Sequence, residues 1–221
     1  MKKSALVLID DFGHPKSTIL PVVEQIFDRN DWNVCVMDRV DQIVDMLSAP
    51  DLIVSFKNSI SEAPRDGENW YQKSFTYKWA DFVNNDGCGL LIVHAGFAFI
   101  PKEHPVITEA VHGYFMGHPP LSAITVEPVE GCGHPIMEGV SGFTSLLDEH
   151  FQVGGLTEEN TTVLAYSFAE DGRQPCAWAH ESGKGRGAVI LPGHANPTFQ
   201  ALRHPSMIRM LSNAVRWLGQ E

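Results

Sequence analysis

The sequence predicts an α/β protein built on a doubly wound, mainly parallel sheet. Three observations carry this reading. Ala5-Leu6-Val7-Leu8-Ile9, Leu52-Ile53-Val54 and the glycine-bounded Leu90-Leu91-Ile92-Val93 are short apolar runs of the kind that form strands buried on both faces. Segments with apolar residues at helical spacing lie between them, and that alternation marks a doubly wound layer. His94, followed at once by Ala95 and Gly96, stands where the central run ends. In open α/β sheets that carboxyl edge is where ligands bind.

Taken in order, the first strand (Ala5 to Ile9) ends at Asp10-Asp11. Ile19, Val22, Val23, Ile26 and Phe27 then form a helical face, in which Pro21 fits only within the first turn. Trp32 to Met37 is a second strand. Val40, Ile43, Val44 and Leu47 give another helical face, capped by Asp38 or Asp41. After the third strand, Lys57 to Asn69 reads as a loop containing Pro64 and Gly67. A helix from Trp70, with Trp79, Phe82 and Val83 inward, closes near Asn84-Asn85 before the central strand.

Past Gly96 the pattern is less regular. Pro105 to Val111 reads as a short helix and Gly113 to Pro120 as a loop. Leu121 to Val126, Phe143 to Val153, Thr162 to Phe168, Pro175 to Ala179 and Gly187 to Leu191 read as strands, the last two joined by a turn at Gly183-Lys184-Gly185. That glycine-rich turn lacks the spacing of a phosphate loop. The final helix buries Met207, Met210, Leu211, Ala214 and Leu218, with Ser206 as its cap and Gly219 at its end. No linker or repeat interrupts the chain, so residues 1–221 are expected to form one domain.

Composition narrows the function. With 221 residues, 43% of them hydrophobic, the chain can build one sizeable core. A net charge of -11 argues against nucleic acid or an anionic membrane as partner and favours a small molecule. No apolar run reaches the roughly 18 residues of a membrane span. The run after Met1-Lys2-Lys3-Ser4 is too short for a signal peptide, so a cytoplasmic location is expected. Cys35, Cys88, Cys132 and Cys176 are scattered without CxxC spacing, which gives neither a zinc knuckle nor a disulfide framework. Whether the chain forms a homo-oligomer stays open.

Ten histidines are present, and five of them (His14, His104, His118, His134, His204) directly precede proline, where they can serve simply to punctuate loops. His94 has a geometric rationale, because small residues after it allow a sharp strand-to-helix elbow. His194 ends the apolar run Ile190-Leu191 beside Gly193. Asp148-Glu149-His150 supplies two carboxylates and an imidazole; on a strand, Asp148 and His150 share a face and Glu149 takes the other. Its alternative reading is a polar edge face. Trp178 could offer an aromatic face to a sugar, although a core tryptophan is commoner.

In order along the chain, Leu91-Ile92-Val93-His94-Ala95-Gly96, Phe115-Met116-Gly117-His118-Pro119, His134-Pro135-Ile136, Asp148-Glu149-His150-Phe151, Ala177-Trp178 and Gly183-Lys184-Gly185-Arg186 through Pro192-Gly193-His194 resemble the trehalose-utilisation (ThuA-like) family. The resemblance is strongest from about Gly87 to Trp217. It implies a flavodoxin-like three-layer fold similar to class I glutamine amidotransferases, with extra strands in the C-terminal half, and a role in the use of trehalose or related sugars. True amidotransferases carry a cysteine at the elbow. Here the elbow residue is His94, and Cys88 stands six positions earlier at the start of the strand. A thiol mechanism is therefore not expected.

Three function classes follow: a sugar-active enzyme or sugar-binding protein, an atypical glutaminase or peptidase, and a non-catalytic interaction module. For the first, His94, Asp148, Glu149 and His150 are the catalytic candidates, and His118, Trp178 and His194 the substrate-binding ones. His94, His118, His150 and His194 are expected to converge on one pocket and are candidate ligands for a divalent metal, with Asp148 or Glu149 as ligand, base or orienting partner. No HxH or HxxxH pair gives a local metal signature among them.

Overall fold

The computed structural model describes residues 1–39, 48–60, 69–72, 74–159, 161–194 and 201–220. The helical face expected from Val40 to Leu47 and residues 61–68 of the expected loop lie outside the described residues. The described chain forms β1 (Lys3–Leu8), α1 (Lys16–Ile26), β2 (Trp32–Met37), β3 (Leu52–Ser55), α2 (Ser74–Asp81), β4 (Gly89–Val93), β5 (Tyr114–Gly117), β6 (Ser122–Pro128), β7 (Phe143–Asp148), β8 (Gln152–Gly154), β9 (Thr162–Ala169), β10 (Gly172–Ser182), β11 (Gly185–Ile190) and α3 (Pro205–Leu218).

The main sheet runs in the order β2-β1-β3-β4-β11-β10-β9-β6-β7. Its first five strands are mutually parallel and the rest pair antiparallel, so the additional strands come from the C-terminal half. β4 lies between two parallel neighbours, β3 and β11, with β1 one strand further out, in accord with the βαβ alternation of the sequence. The chain winds one way from β1 to β2 and the other way from β3 to β4. The order therefore reverses between β1 and β3, and the carboxyl ends there open a crevice.

Both faces of the central strands are covered. Gly89 and Gly187 sit on opposite faces, because Arg186 pairs with Gly89 and Gly187 with Leu90. A Cβ on Gly89 would lie 2.6 Å from the Leu218 carbonyl oxygen of α3, and one on Gly187 would lie 1.9 Å from that of Ala110. α3 is thus pressed onto one face, and the turn of wide helix at Val106–Val111 onto the other. α1 packs beside α3, and α2 beside the 106–111 turn. All five residues of β4 are buried, as their unbroken apolar character requires.

Four local expectations change. Pro21 lies in the second turn of α1, and the carbonyl it leaves without an amide partner belongs to Ser17, an exposed residue that water can reach. The cap of α3 is His204, whose Nδ1 accepts the Ser206 N–H, so Ser206 is a helical residue. The run from Phe143 to Val153 is two strands, because the chain leaves the main sheet after Asp148. Finally, the segment from Gly113 to Pro120 contains β5, which pairs with β8 in a separate antiparallel ribbon.

Candidate functional site

Three strand ends and one crossover bring the site together. After β1, Asp11 Oδ1 accepts the backbone N–H groups of Gly13 (2.8 Å) and His14 (2.9 Å) and lies 2.8 Å from His14 Nδ1; its Oδ2 accepts the Asn58 N–H (2.9 Å). A carboxylate only accepts, so Nδ1 of His14 carries the proton and Nε2 faces away. Burial raises the Asp11 carboxyl, but its bonds to His14 and to the backbone outweigh that and hold it below the ordinary carboxylate value. Buried Lys57 donates to the carbonyls of Asp10 and Asp38, which ties this turn to β3 and to the end of β2.

At the end of β4, His94 adopts φ 45° and is 2% exposed. Few non-glycine residues take that conformation, and it concentrates at sites where the surrounding structure imposes it. The turn is tight: a Cβ on Gly96 would lie 2.2 Å from the Ser55 carbonyl oxygen. His94 Nδ1 donates to the Leu191 carbonyl at 2.7 Å, which leaves Nε2 as a lone-pair nitrogen. Burial, then the neighbouring His14, pushes the His94 pKa well below the ordinary histidine value, so the ring is neutral.

The third strand end is that of β11. There the Gly193 and His194 N–H groups donate to Asp148 at 3.2 and 3.0 Å, and the Glu149 N–H also donates to Asp148, at 2.8 Å. Burial pushes the Asp148 carboxyl up to about 6 against these three bonds. Asp148 therefore fixes backbone, and Glu149 reaches the cluster: Oε2 is 3.4 Å from His94 Nε2, and Oε1 is 3.5 Å from His194 Nδ1 and 3.7 Å from His118 Nε2. His118 Nδ1 donates to the Pro119 carbonyl at 2.8 Å, so its Nε2 also presents a lone pair. Burial lowers the His194 pKa, with the Glu149 carboxylate pulling the other way.

His14 Nε2, His94 Nε2 and His194 Nδ1 are buried and make no hydrogen bond. An unmet buried polar atom costs about 1–3 kcal/mol, so three together need an explanation. With a Glu149 oxygen they form a set of donor atoms all within 4.8 Å of one another, a set that could hold a metal ion. His14, His194 and Glu149 line a cavity of about 270 Å³, together with Phe99, Phe115, Phe151, Asn58 and His118.

The structure brings His94, His118 and His194 near Glu149, with Asp148 bonded to the backbone of residues 149, 193 and 194. His150 points elsewhere: Nδ1 is 2.5 Å from Asp171 Oδ1 and Nε2 is 3.3 Å from the Ser167 carbonyl. Because β7 ends at Asp148, the strand rule that would place Asp148 and His150 on one face does not apply beyond it. Trp178 is fully buried, packs edge-on against Phe97 and donates to the Val111 carbonyl, away from the cavity lining. His14 is the site residue the sequence reading passed over; its signal was Asp11, three residues upstream and just past the first strand. Cys88 is buried at the start of β4, where burial pushes its thiol up to about 12, and the elbow holds no sulfur.

A sheet with a parallel half and a sharp turn at His94 after its central strand defines an α/β protein with an amidotransferase-like fold. The chain belongs to the ThuA family, described as trehalose utilisation, whose profile matches residues 4–218. It is similar to a ThuA-like protein from Parabacteroides merdae, at 16% identity and a TM-score of 0.74 over 100% of this chain and 91% of the other. A ThuA-like protein from Bacteroides uniformis matches at 18% identity and 0.66 over 98% and 91%. PurLQS from Thermotoga maritima matches at 13% identity and 0.62 over 99% and 100%, which shows the shared fold. No curated protein matches the chain.

Proposed function

We propose that this protein binds a single-ring carbohydrate in the cavity above β4 and moves a proton on it. The observation that supports this is the two-sided character of the cavity. Its floor is imidazole and carboxylate, and its walls include Phe99, Phe115 and Phe151. A sugar ring has a matching pair of surfaces, a hydroxyl edge for the polar floor and C–H faces for aromatic rings. The volume of about 270 Å³ is small for a ligand pocket, for which about 300–1,000 Å³ is usual. It suits one ring better than two, so a disaccharide such as the one in the family description would enter by one end only.

Glu149 takes the proton in this reading, since a carboxylate oxygen can accept one. His118, at the mouth with its Nε2 lone pair toward Glu149, is placed to pass that proton to solvent. His14 and His194 line the floor, and His94, outside the lining, reaches it only through Glu149, 3.4 Å from its Nε2. Asp148 acts as a positioning residue through the backbone of residues 193 and 194. His150 and Trp178 keep structural roles in this reading.

Calorimetric titration with glucose, trehalose and glutamine tests it, with Glu149→Gln as the companion variant. Glucose should bind at least about tenfold more tightly than trehalose, and glutamine not at all. Failure of every sugar to bind the folded protein, or binding of glutamine instead, overturns the proposal.

A further inference from the structure

We infer that His14, His94, His194 and Glu149 form a binding site for one divalent first-row transition-metal ion. The inference does not depend on the sugar reading, because it rests on the three buried ring nitrogens that have no hydrogen-bond partner; the two share Glu149, of which one oxygen would go to the ion and the other stay free to accept a proton. With one Glu149 oxygen the three nitrogens lie within 4.8 Å of one another, and each belongs to a histidine held from outside the cluster or on a turn bonded to Asp148. His14 is held through Nδ1 by Asp11 and His94 through Nδ1 by the Leu191 carbonyl, so in both rings the free nitrogen is the one that carries the lone pair. An imidazole fixed this way by a carboxylate or a carbonyl is the usual outer arrangement around a metal-bound histidine. The turn that carries His194 is tied down by Asp148.

The alternatives fit less well. Protonation would give the nitrogens donor capacity, but the one Glu149 carboxylate, 3.4 Å from His94 Nε2 and 3.5 Å from His194 Nδ1, would balance only one of the positive charges placed side by side in rings whose centroids lie 4.9, 5.4 and 5.8 Å apart. Mutual hydrogen bonding is absent, since none of the three nitrogens has a partner. A cation on the lone pairs satisfies all three and also neutralises Glu149. The four donor atoms lie within 4.8 Å of one another. Four ligand bonds of about 2.1 Å in a tetrahedral arrangement put the donors about 3.4 Å apart, so closing the set onto an ion takes side-chain shifts on the order of an ångström. Three imidazoles and one carboxylate suit zinc, iron, cobalt or nickel better than magnesium or calcium, which prefer all-oxygen sites.

The ligand set differs from the one expected from the sequence in two places. His150 has both nitrogens engaged with Asp171 and Ser167. His118 stands at the mouth, outside the set of four. His14 completes the set.

The test uses the full chain without a histidine tag, stripped with chelator and retitrated with Zn(II) and, separately, Co(II). About one ion per chain should bind, and cobalt should give visible d–d absorption of nitrogen-ligated type. His14→Ala and Glu149→Gln should each weaken binding by at least about 100-fold with an unchanged far-ultraviolet spectrum. Should His14→Ala fail to fold, His14→Gln takes its place, and the cobalt spectrum of the unsubstituted chain still reports the ligands. A chain that takes up neither ion, or whose binding survives His14→Ala unchanged, overturns the inference.

Discussion

Asp11 carries a prediction that separates holding the site from merely folding. Its two oxygens serve four N–H groups: those of Gly13, His14 and the His14 ring on Oδ1, and that of Asn58 on Oδ2. The side chain is 3% exposed. In Asp11→Asn only one oxygen remains, so whichever way the amide turns, at least one of these donors faces an NH2 group. One orphaned buried donor, plus the loss of charge assistance in the other bonds, costs about 2–4 kcal/mol. For a chain of this length that lowers the melting temperature by roughly 4–16 °C. The second effect is on His14, whose ring tautomer Asp11 sets; losing such a partner usually weakens metal affinity about 10–100-fold. Urea unfolding of the chelator-stripped variant measures the first effect and Zn(II) titration the second. A variant that loses stability yet binds zinc like the original protein would show that Asp11 supports the turn and does not orient His14. The acid limit follows from the lowered Asp11 pKa. Its contribution is complete above the unfolded value of 3.8 and is lost as pH falls through the lower folded value.

Three further outcomes are expected. Burial lowers the His104 pKa from 6.5 to about 4 and the residue is 2% exposed, so the folded state refuses a proton that the unfolded chain accepts; its own contribution to stability should fall by about 3 kcal/mol as pH drops from 6.5 to 4, and a folded His104→Gln variant whose urea midpoint moves with pH as the original's does contradicts it. Gly96→Ala forces a Cβ to 2.2 Å from the Ser55 carbonyl and should lower stability by about 3 kcal/mol while displacing His94, which a normal melting temperature would refute. Cys88→Ser and Cys176→Ser, both buried and outside the cavity lining, should leave sugar affinity unchanged in folded protein, and loss of binding would point to a thiol role.

The parallel half of the fold was legible because its signals are local. A strand covered on both faces must be apolar throughout, and the run from Leu90 to Val93 says so without help from the rest of the chain. The antiparallel half was less legible because its strands lie at the rim. β7 alternates buried and exposed residues, and nothing in Leu147-Asp148-Glu149 announces that the chain leaves the sheet there. That departure decides the site. It buries Asp148 under the β11 turn and delivers Glu149 to the histidines, whereas a strand continued through His150 would have carried Glu149 to the opposite face from both its neighbours.

The histidine-proline pairs show why the rest of the site could not be read residue by residue. In three of the five, the imidazole accepts a backbone N–H two positions on: His104 from Val106, His134 from Ile136 and His204 from Ser206, each at 3.2 Å. Each starts a helical segment, where proline removes one unpaired donor and the ring satisfies the next. An imidazole can accept there only while neutral, and burial lowers the pKa of all three. His14 precedes proline in the same way, but Asp11 claims its Nδ1–H, so the ring cannot cap α1 and turns its lone pair into the cavity. The Lys16 N–H at the start of that helix is met by Asp10 Oδ1 instead. In His118 the Pro119 carbonyl takes the Nδ1–H, with the same consequence. The dipeptide is common to caps and site residues alike. What sorts them is whether Nδ1 acts as acceptor or donor, and that depends on a carboxylate or carbonyl that only the folded chain brings alongside.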